Sequence, residues 1–211
     1  MTTFTIIKEM LEAKGACREG IRDFIGRYPD GVDYQELLDA CAENGKDDYA
    51  SWLLHVFGST KTVLEVDEIT SEKSIFFAGS IVCRGKISVK YRLFAGSGIE
   101  AGWGIEAGWG IKAGWGIKAG EGIEAGEGIE AGEGIKAGWG IKASSGIKAG
   151  SGIEAGEGIE ADEGIEAGYD FGIYAGLRIR ISNKAKYATI KAKTEPQNIV
   201  CGQYVKDGDE K

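Results

Sequence analysis

One histidine, two prolines and two methionines are all that the 211-residue chain holds of those types, and no apolar run approaches the ~20 residues of a membrane-spanning helix. With His55 alone, a zinc site or a histidine-based catalytic pair would have to be built around that single side chain. The four cysteines (Cys17, Cys41, Cys83, Cys201) are far apart and form no CxxC, so neither a zinc ribbon nor a redox motif is indicated. Met1 is followed by Thr2, Thr3, Phe4 and an amphipathic pattern, which does not read as a signal peptide. The thiols are therefore expected to be reduced in a cytoplasmic protein, three of them packed among apolar neighbours. There is no Walker loop, no nucleophile elbow and no metal-ligand cluster, and no cofactor is expected. Residues 95–168 contain no threonine, which excludes the flat threonine ranks of an ice-binding face.

What is abundant is glycine: 35 residues, 23 of them between Gly96 and Gly168. Charge is as uneven. Residues 1–94 carry 12 basic and 15 acidic groups, residues 95–168 carry 5 and 13, and residues 169–211 carry 8 and 5. The chain is acidic in its middle and basic in its tail.

Residues 1–58 read as short helices forming a cap. Ile6, Ile7, Met10 and Leu11 recur at helical spacing before Gly15; Cys17, Ile21, Phe24 and Ile25 follow, ended by Pro29-Asp30-Gly31. Asp33 with Glu36 is a capping-box signature ahead of Leu37, Leu38 and Cys41. Asp47 can cap a fourth helix carrying Tyr49, Trp52, Leu53, Val56 and Phe57, stopped at Gly58. So small a helical unit gains most by docking on a larger body.

That body is a repeat. From Ala95 to Gly168 the chain reads A-G-x-G-I-x, with twelve isoleucines, one every six residues, from Ile99 to Ile165. The period runs upstream in degenerate form through Val63, Ile69, Ile75, Ile81, Ile87 and Leu93. It slips by two residues after Phe171, where Ile173 and Ile179 restart it. Strand alternation sends the Ile and Ala of I-E/K-A to one face and the charge to the other. The G-x-G that follows is a corner, where positive φ is open to glycine. The expected fold is mainly β: a solenoid over residues 59–181 of about twenty hexads, between the helical cap and a basic strand or tail over 182–211.

Charge indicates the length of a coil. Stacked strands place equivalent positions side by side, where like charges repel. Glu and Lys are opposite in 4 of 11 pairs at a spacing of 6, 8 of 10 at 12, 7 of 9 at 18 and 3 of 8 at 24. Coils of 12 or 18 residues are therefore allowed. Eighteen is favoured, because at 12 Glu121 would stack on Glu133, whereas at 18 no corner glutamate meets another.

The run Ile-Glu-Ala-Gly-x-Gly resembles the hexapeptide repeat of left-handed β-helices, over about residues 63–181. The resemblance implies three hexads per triangular coil. It departs at the corner: the family favours a small residue four places after the aliphatic one, and here stand Trp103, Trp109, Trp115, Glu121, Glu127 and Glu133. Side chains of that size do not fit inside a narrow solenoid and are expected to project outward. Many proteins of this kind are acyltransferases with a histidine base, for which His55 is the single candidate. The helical segment is similar to modules that precede such repeats in uncharacterised bacterial or prophage-encoded proteins.

Repeated identical carboxylates offer no acid and base in unlike environments, so no catalytic pair is assigned. The leading reading is a non-enzymatic interaction protein. Its candidate partner-binding residues are Trp103, Trp109, Trp115 and Trp139 with Glu121, Glu127, Glu133, Glu157 and Glu163, since exposed tryptophan is a mark of binding hot spots. The expected partner is a protein, of the nucleic-acid-binding kind if the acidic solenoid mimics nucleic acid as a decoy. Arg178, Arg180, Lys184 and Lys186 form a basic strip that could touch nucleic acid directly or lie against the acidic solenoid. Leu177, Ile179 and Ile181 are expected to alternate with Arg178 and Arg180 in a terminal strand. The far end of the solenoid is a strand edge to be covered by the tail or by a second copy. The alternatives kept open are a hexapeptide-type acyltransferase using His55 and a self-assembling structural solenoid.

Overall fold

A computed structural model describes residues 4–179 and 183–208. The helical unit comes first. Helices α1 (Lys8–Ala13), α2 (Arg18–Arg27), α3 (Tyr34–Glu43) and α4 (Asp47–Phe57) surround Leu11, Phe24, Tyr34, Leu38, Ala50 and Leu53, all buried. Asp33 caps α3 as its spacing indicates, accepting from the amides of Gln35 and Glu36. Two local expectations are corrected. Ile6 is not helical: Thr5–Ile6 (β1) pairs antiparallel with Val32–Asp33 (β2), which buries the Ile6 side chain in the helical core. Asp47 does not cap α4 but opens it, and its carboxylate accepts instead from the Ser74 hydroxyl of the solenoid.

The solenoid begins with β3 (Val63–Val66), β4 (Ile69–Ser71), β5 (Ile75–Phe77), β6 (Ser80–Cys83), β7 (Ile87–Val89) and β8 (Leu93–Ala95). One three-residue strand per hexad follows, from β9 (Ile99–Ala101) to β19 (Ile159–Ala161), and then β20 (Ile165–Glu166). From β4 to β20 every third strand pairs in parallel with residue i opposite i+18: Ile99 with Ile117, Ile105 with Ile123, Ile111 with Ile129; the first strand is one residue out, with Leu64 opposite Ile81, so the expected repeat position Val63 is exposed instead. The coil is 18 residues, and among the described residues three parallel sheets form its sides. The isoleucines from Ile99 to Ile165 are at most 3 % exposed and the alanines lie beside them. They stack in three columns, one per side, and at ~1.5–3 kcal/mol per buried aliphatic side chain these columns supply a large share of the favourable side of folding.

The glycines are needed for a reason other than the expected one. No repeat glycine between Gly96 and Gly168 has a positive φ. The corner is part of the ladder: Gly120 N–H donates to Ala101 O (3.0 Å), Glu121 N–H to Trp103 O (3.2 Å) and Ile123 N–H to Gly140 O (3.1 Å). This brings backbone so close to backbone that a Cβ on Gly120 would stand 2.0 Å from Gly102 O. The second corner glycine is roomier; a Cβ on Gly122 would lie 3.5 Å from Gly140 O. Where the first corner glycine is replaced, at Ser144 and Asp162, the rung lengthens to 3.2 and 3.3 Å.

The helical unit docks on the first coils through positions that elsewhere carry charge. Phe76 and Phe94 occupy the outward place of β5 and β8, meet edge to face at 5.4 Å and join the helical core. Gln35 of α3 closes the free edge of β5, its Nε2 donating to Phe76 O and its Oε1 accepting from Ala78 N–H, both at 2.8 Å. The side-chain amide thus stands in for a missing strand.

At the other end the two-residue slip is real: β21 (Ile173–Tyr174) stacks on Ile153. The expected terminal strand over Leu177–Ile181 is corrected. Residues 177–179 form a turn with Leu177 half exposed, and Ile181 lies outside the described residues. The coil loops out through the short helix α5 (Lys184–Tyr187), and Ile190 of β22 (Thr189–Ala192) takes the core place opposite Ile159. β23 (Ile199–Cys201) then stacks on β21 and β24 (Gln203–Lys206) on β22, so stacking continues to Lys206 on two of the three sides.

Two outcomes follow from these contacts. Gly120→Ala is expected to lower stability by ~1–3 kcal/mol, the usual range for overpacking a fixed site, while Gly122→Ala changes it by less than about 1 kcal/mol; chemical denaturation of both variants checks the contrast. Gln35→Ala is expected to cost ~1–3 kcal/mol by stripping two backbone groups of their partner, with Gln35→Glu recovering only the acceptor half; the same denaturation curves measure it.

Candidate functional site

The corner residues stack into three columns. Trp103, Glu121, Trp139 and Glu157 make one, each amide donating to the carbonyl of the residue before it (3.2 Å at every step). Tyr91, Trp109, Glu127, Ser145 and Glu163 make the second, with Lys193 donating to Glu163 O; Ser97, Trp115, Glu133 and Ser151 make the third. Trp103, Trp109 and Trp115 thus stand one per corner on successive turns of a single coil. All project outward, Trp103 at 61 % exposure, Trp115 at 56 %, Trp139 at 51 % and Trp109 at 40 %.

Trp109 is the least exposed because it is already engaged. The Tyr91 ring meets it edge on at 5.2 Å and the Arg92 guanidinium lies 5.2 Å from its centroid. Arg92 in turn reaches Asp48 of α4 at 3.2 Å, tying this corner to the helical unit.

The charges divide into two populations. On the flat sides, Lys118 pairs with Glu100 (2.7 Å), Lys112 with Glu130 (2.9 Å), Lys136 with Glu154 (2.6 Å) and Lys148 with Glu166 (3.2 Å), each one coil apart. These pairs are solvated, each contributing about 0–1 kcal/mol, and they cancel most of the charge: seven glutamates and five lysines leave two negative charges over the twelve strand-centre positions. The corners carry the rest. Glu121 is half-buried and Glu127, Glu133, Glu157 and Glu163 are exposed; among the described residues none of the five forms an ion pair. With Asp162 they carry six negative charges.

Of the basic strip, the described residues show Arg178 and the Lys186 side chain. Arg178 lies along the first column: its amide donates to Gly156 O, and its side chain covers Gly138 and Gly156, at the foot of Trp139 and Glu157. Arg180 and the side chain of Lys184 lie outside the described residues, and Lys186 sits 5.0 Å over its neighbour Tyr187. His55 is exposed in the last turn of α4. Among the described residues no three His, Cys, Asp or Glu side chains gather as metal ligands, and no helix is long and apolar enough to cross a membrane.

Two features escaped sequence reasoning. An apolar cavity of about 350 Å³ opens in the helical unit between Leu11, Phe24, Leu37, Trp52 and Leu53, with Cys17 at its rim. Cys17 is exposed rather than packed; Cys41 and Cys83 are buried and Cys201 is half-buried. The Cys17 sulfur accepts from Gly20 N–H at the start of α2 and approaches the Tyr49 hydroxyl, which hold its pKa below the usual thiol value. The signal for it is the missing N-cap: no Ser, Thr, Asp or Asn precedes α2, and a cysteine stands in the capping place.

A protein-family model described as the YdhT N-terminal domain matches residues 1–59. The match covers the helical unit and leaves the solenoid outside it. No curated protein and no solved structure matches the chain. The fold defines the class: a three-sided parallel β-solenoid carrying an N-terminal helical domain.

A disulfide-exchange reagent is expected to modify one thiol rapidly in the native protein, and Cys17→Ser removes that phase. Because the Cys17 pKa is lowered, the fast phase sets in at a lower pH than for an ordinary thiol. Cys41, pushed up to about 11 by burial, stays silent through neutral pH. Absorbance of the released thiolate against pH reads both.

Proposed function

We propose that the protein is a non-enzymatic interaction protein, whose rigid solenoid displays corner tryptophans and glutamates to a macromolecular partner. One observation carries the reading: four exposed tryptophans and five glutamates without an ion pair among the described residues occupy the corners, while the flat sides neutralise themselves. A chain selected only for solubility has no use for exposed indoles, which elsewhere concentrate at interfaces. A rigid frame also favours binding, since ordering entropy is spent in folding rather than in association.

In its concrete form the partner is a basic, nucleic-acid-binding protein of the bacterial cytoplasm, and the chain acts as an inhibitor or decoy in bacterial or phage conflict. The repeat is of the kind found in hexapeptide left-handed β-helices, here put to display rather than acyl transfer. Acidic corners recurring at each coil, about 4.8 Å apart, resemble the phosphates of a nucleic-acid strand, about 3.4 Å apart, in sign and regularity more than in pitch.

Affinity capture from nuclease-treated bacterial lysate tests the reading. Wild-type protein is expected to retain a specific basic protein that the Glu121→Lys/Glu127→Lys/Glu133→Lys variant loses. Equal capture by both overturns the role of the corner glutamates.

A further inference from the structure

We infer that the first corner column is a docking row for arginine side chains of the protein partner, each guanidinium lying on an indole and donating to the glutamate one coil away. The inference rests on the interaction reading above and names the chemistry of its partner. Trp103 and Trp139 are two coils, about 10 Å, apart, with Glu121 between them and Glu157 beyond. The backbones that carry indole and carboxylate in each step are therefore about 5 Å apart, close enough for one guanidinium to present its face to the ring and its N–H edge to the carboxylate.

One of the chain's own arginines already uses this chemistry. Arg92 covers the Trp109 ring at 5.2 Å while pairing with Asp48 at 3.2 Å, a ring and a carboxylate shared by one guanidinium. Arg178 runs along the glycines beneath Trp139 and Glu157. At Trp103, among the described residues, no cation lies over the ring, and Glu121 has no cationic partner. That end of the column, an exposed ring beside a glutamate, is complementary in chemistry to an arginine. Phosphate is repelled by the same glutamates. Lysine is the weaker occupant, because a compact, strongly hydrated ammonium does not lie flat on an indole.

The test is the binding of fluorescein-labelled octa-arginine and octa-lysine to the full-length protein by anisotropy, at low and physiological salt. Octa-arginine is expected to bind roughly fivefold more tightly than octa-lysine, as exposed cation–π contacts allow. In Trp103→Ala/Trp139→Ala the two peptides should bind alike, and in Trp103→Phe/Trp139→Phe part of the preference should return; an unchanged melting temperature verifies that the solenoid is intact. Glu121→Gln should weaken both peptides and flatten the salt dependence. Equal binding of both peptides by the wild type, or a preference that survives loss of both indoles, overturns the arginine row and leaves an acidic interaction surface standing. No binding of either peptide overturns both the row and the acidic-surface reading.

Discussion

Backbone packs directly on backbone at the corners of successive coils. There the amide of one turn donates to the carbonyl of the turn before it, through a gap too small for a Cβ. Everything else inherits that pitch. Because the corner is itself a rung, the ladder is continuous round the coil and the isoleucines fall into columns. The outward residues are likewise locked to their neighbours 18 residues away. Glycine is thus a condition of stacking rather than of turning. Ser144 and Asp162 show what happens when the condition is relaxed: the corner still forms, with longer rungs, in the one column where both fall.

The repeat was legible because its physics is one-dimensional. A residue type recurring every six places can only be reconciled with strand alternation by a corner, and the ion-pairing statistics of Glu and Lys select the coil from a few integers. The reason for glycine was not legible, since positive φ and close approach leave the same residue in the sequence. The ends were the least legible. Ile179 has the spacing and Ile190 has the place in the core, because a loop between them is invisible to any fixed period. The docking of the helical unit did leave a signal. Phe76 and Phe94 stand where every regular hexad carries Glu or Lys, and an apolar residue at an outward position marks a covered face. Gln35 left none, as its role depends on which strand edge it meets.

The two populations of charge follow from the same geometry. Strand centres face each other across one rung on a flat side, so long side chains of opposite sign meet and discharge each other. The corner columns set Trp or Ser, not Lys, beside Glu121, Glu127 and Glu133, so no cation stands one coil away from them. A glutamate there keeps its charge available. The acidic character of the molecule is therefore not spread over its surface but drawn into lines, and the expectation of an acidic face becomes three acidic edges. Site residues read from sequence were legible as outward corners for this reason, while their inequality was not.

That inequality comes from the helical unit. Trp103, Trp109 and Trp115 are equivalent by the repeat, one to a corner, yet Trp109 is held by Tyr91 and by an Arg92 anchored on Asp48. The helical unit thus has a side of the solenoid, and it consumes one corner in docking. The family match stops where the helices stop, and the contacts joining the two parts (Gln35 on a strand edge, two phenylalanines, one arginine) belong to the first coils rather than to the regular hexads. Apart from the Trp109 corner, none of these joining contacts falls on the regular hexads. Their corner residues could vary from Trp to Glu to Ser without disturbing the join, because each is held by its backbone rung and not by its side chain. A fold in which display is so cleanly separated from stability places few structural demands on what the corners carry, and four exposed indoles on such positions call for an explanation outside the fold itself.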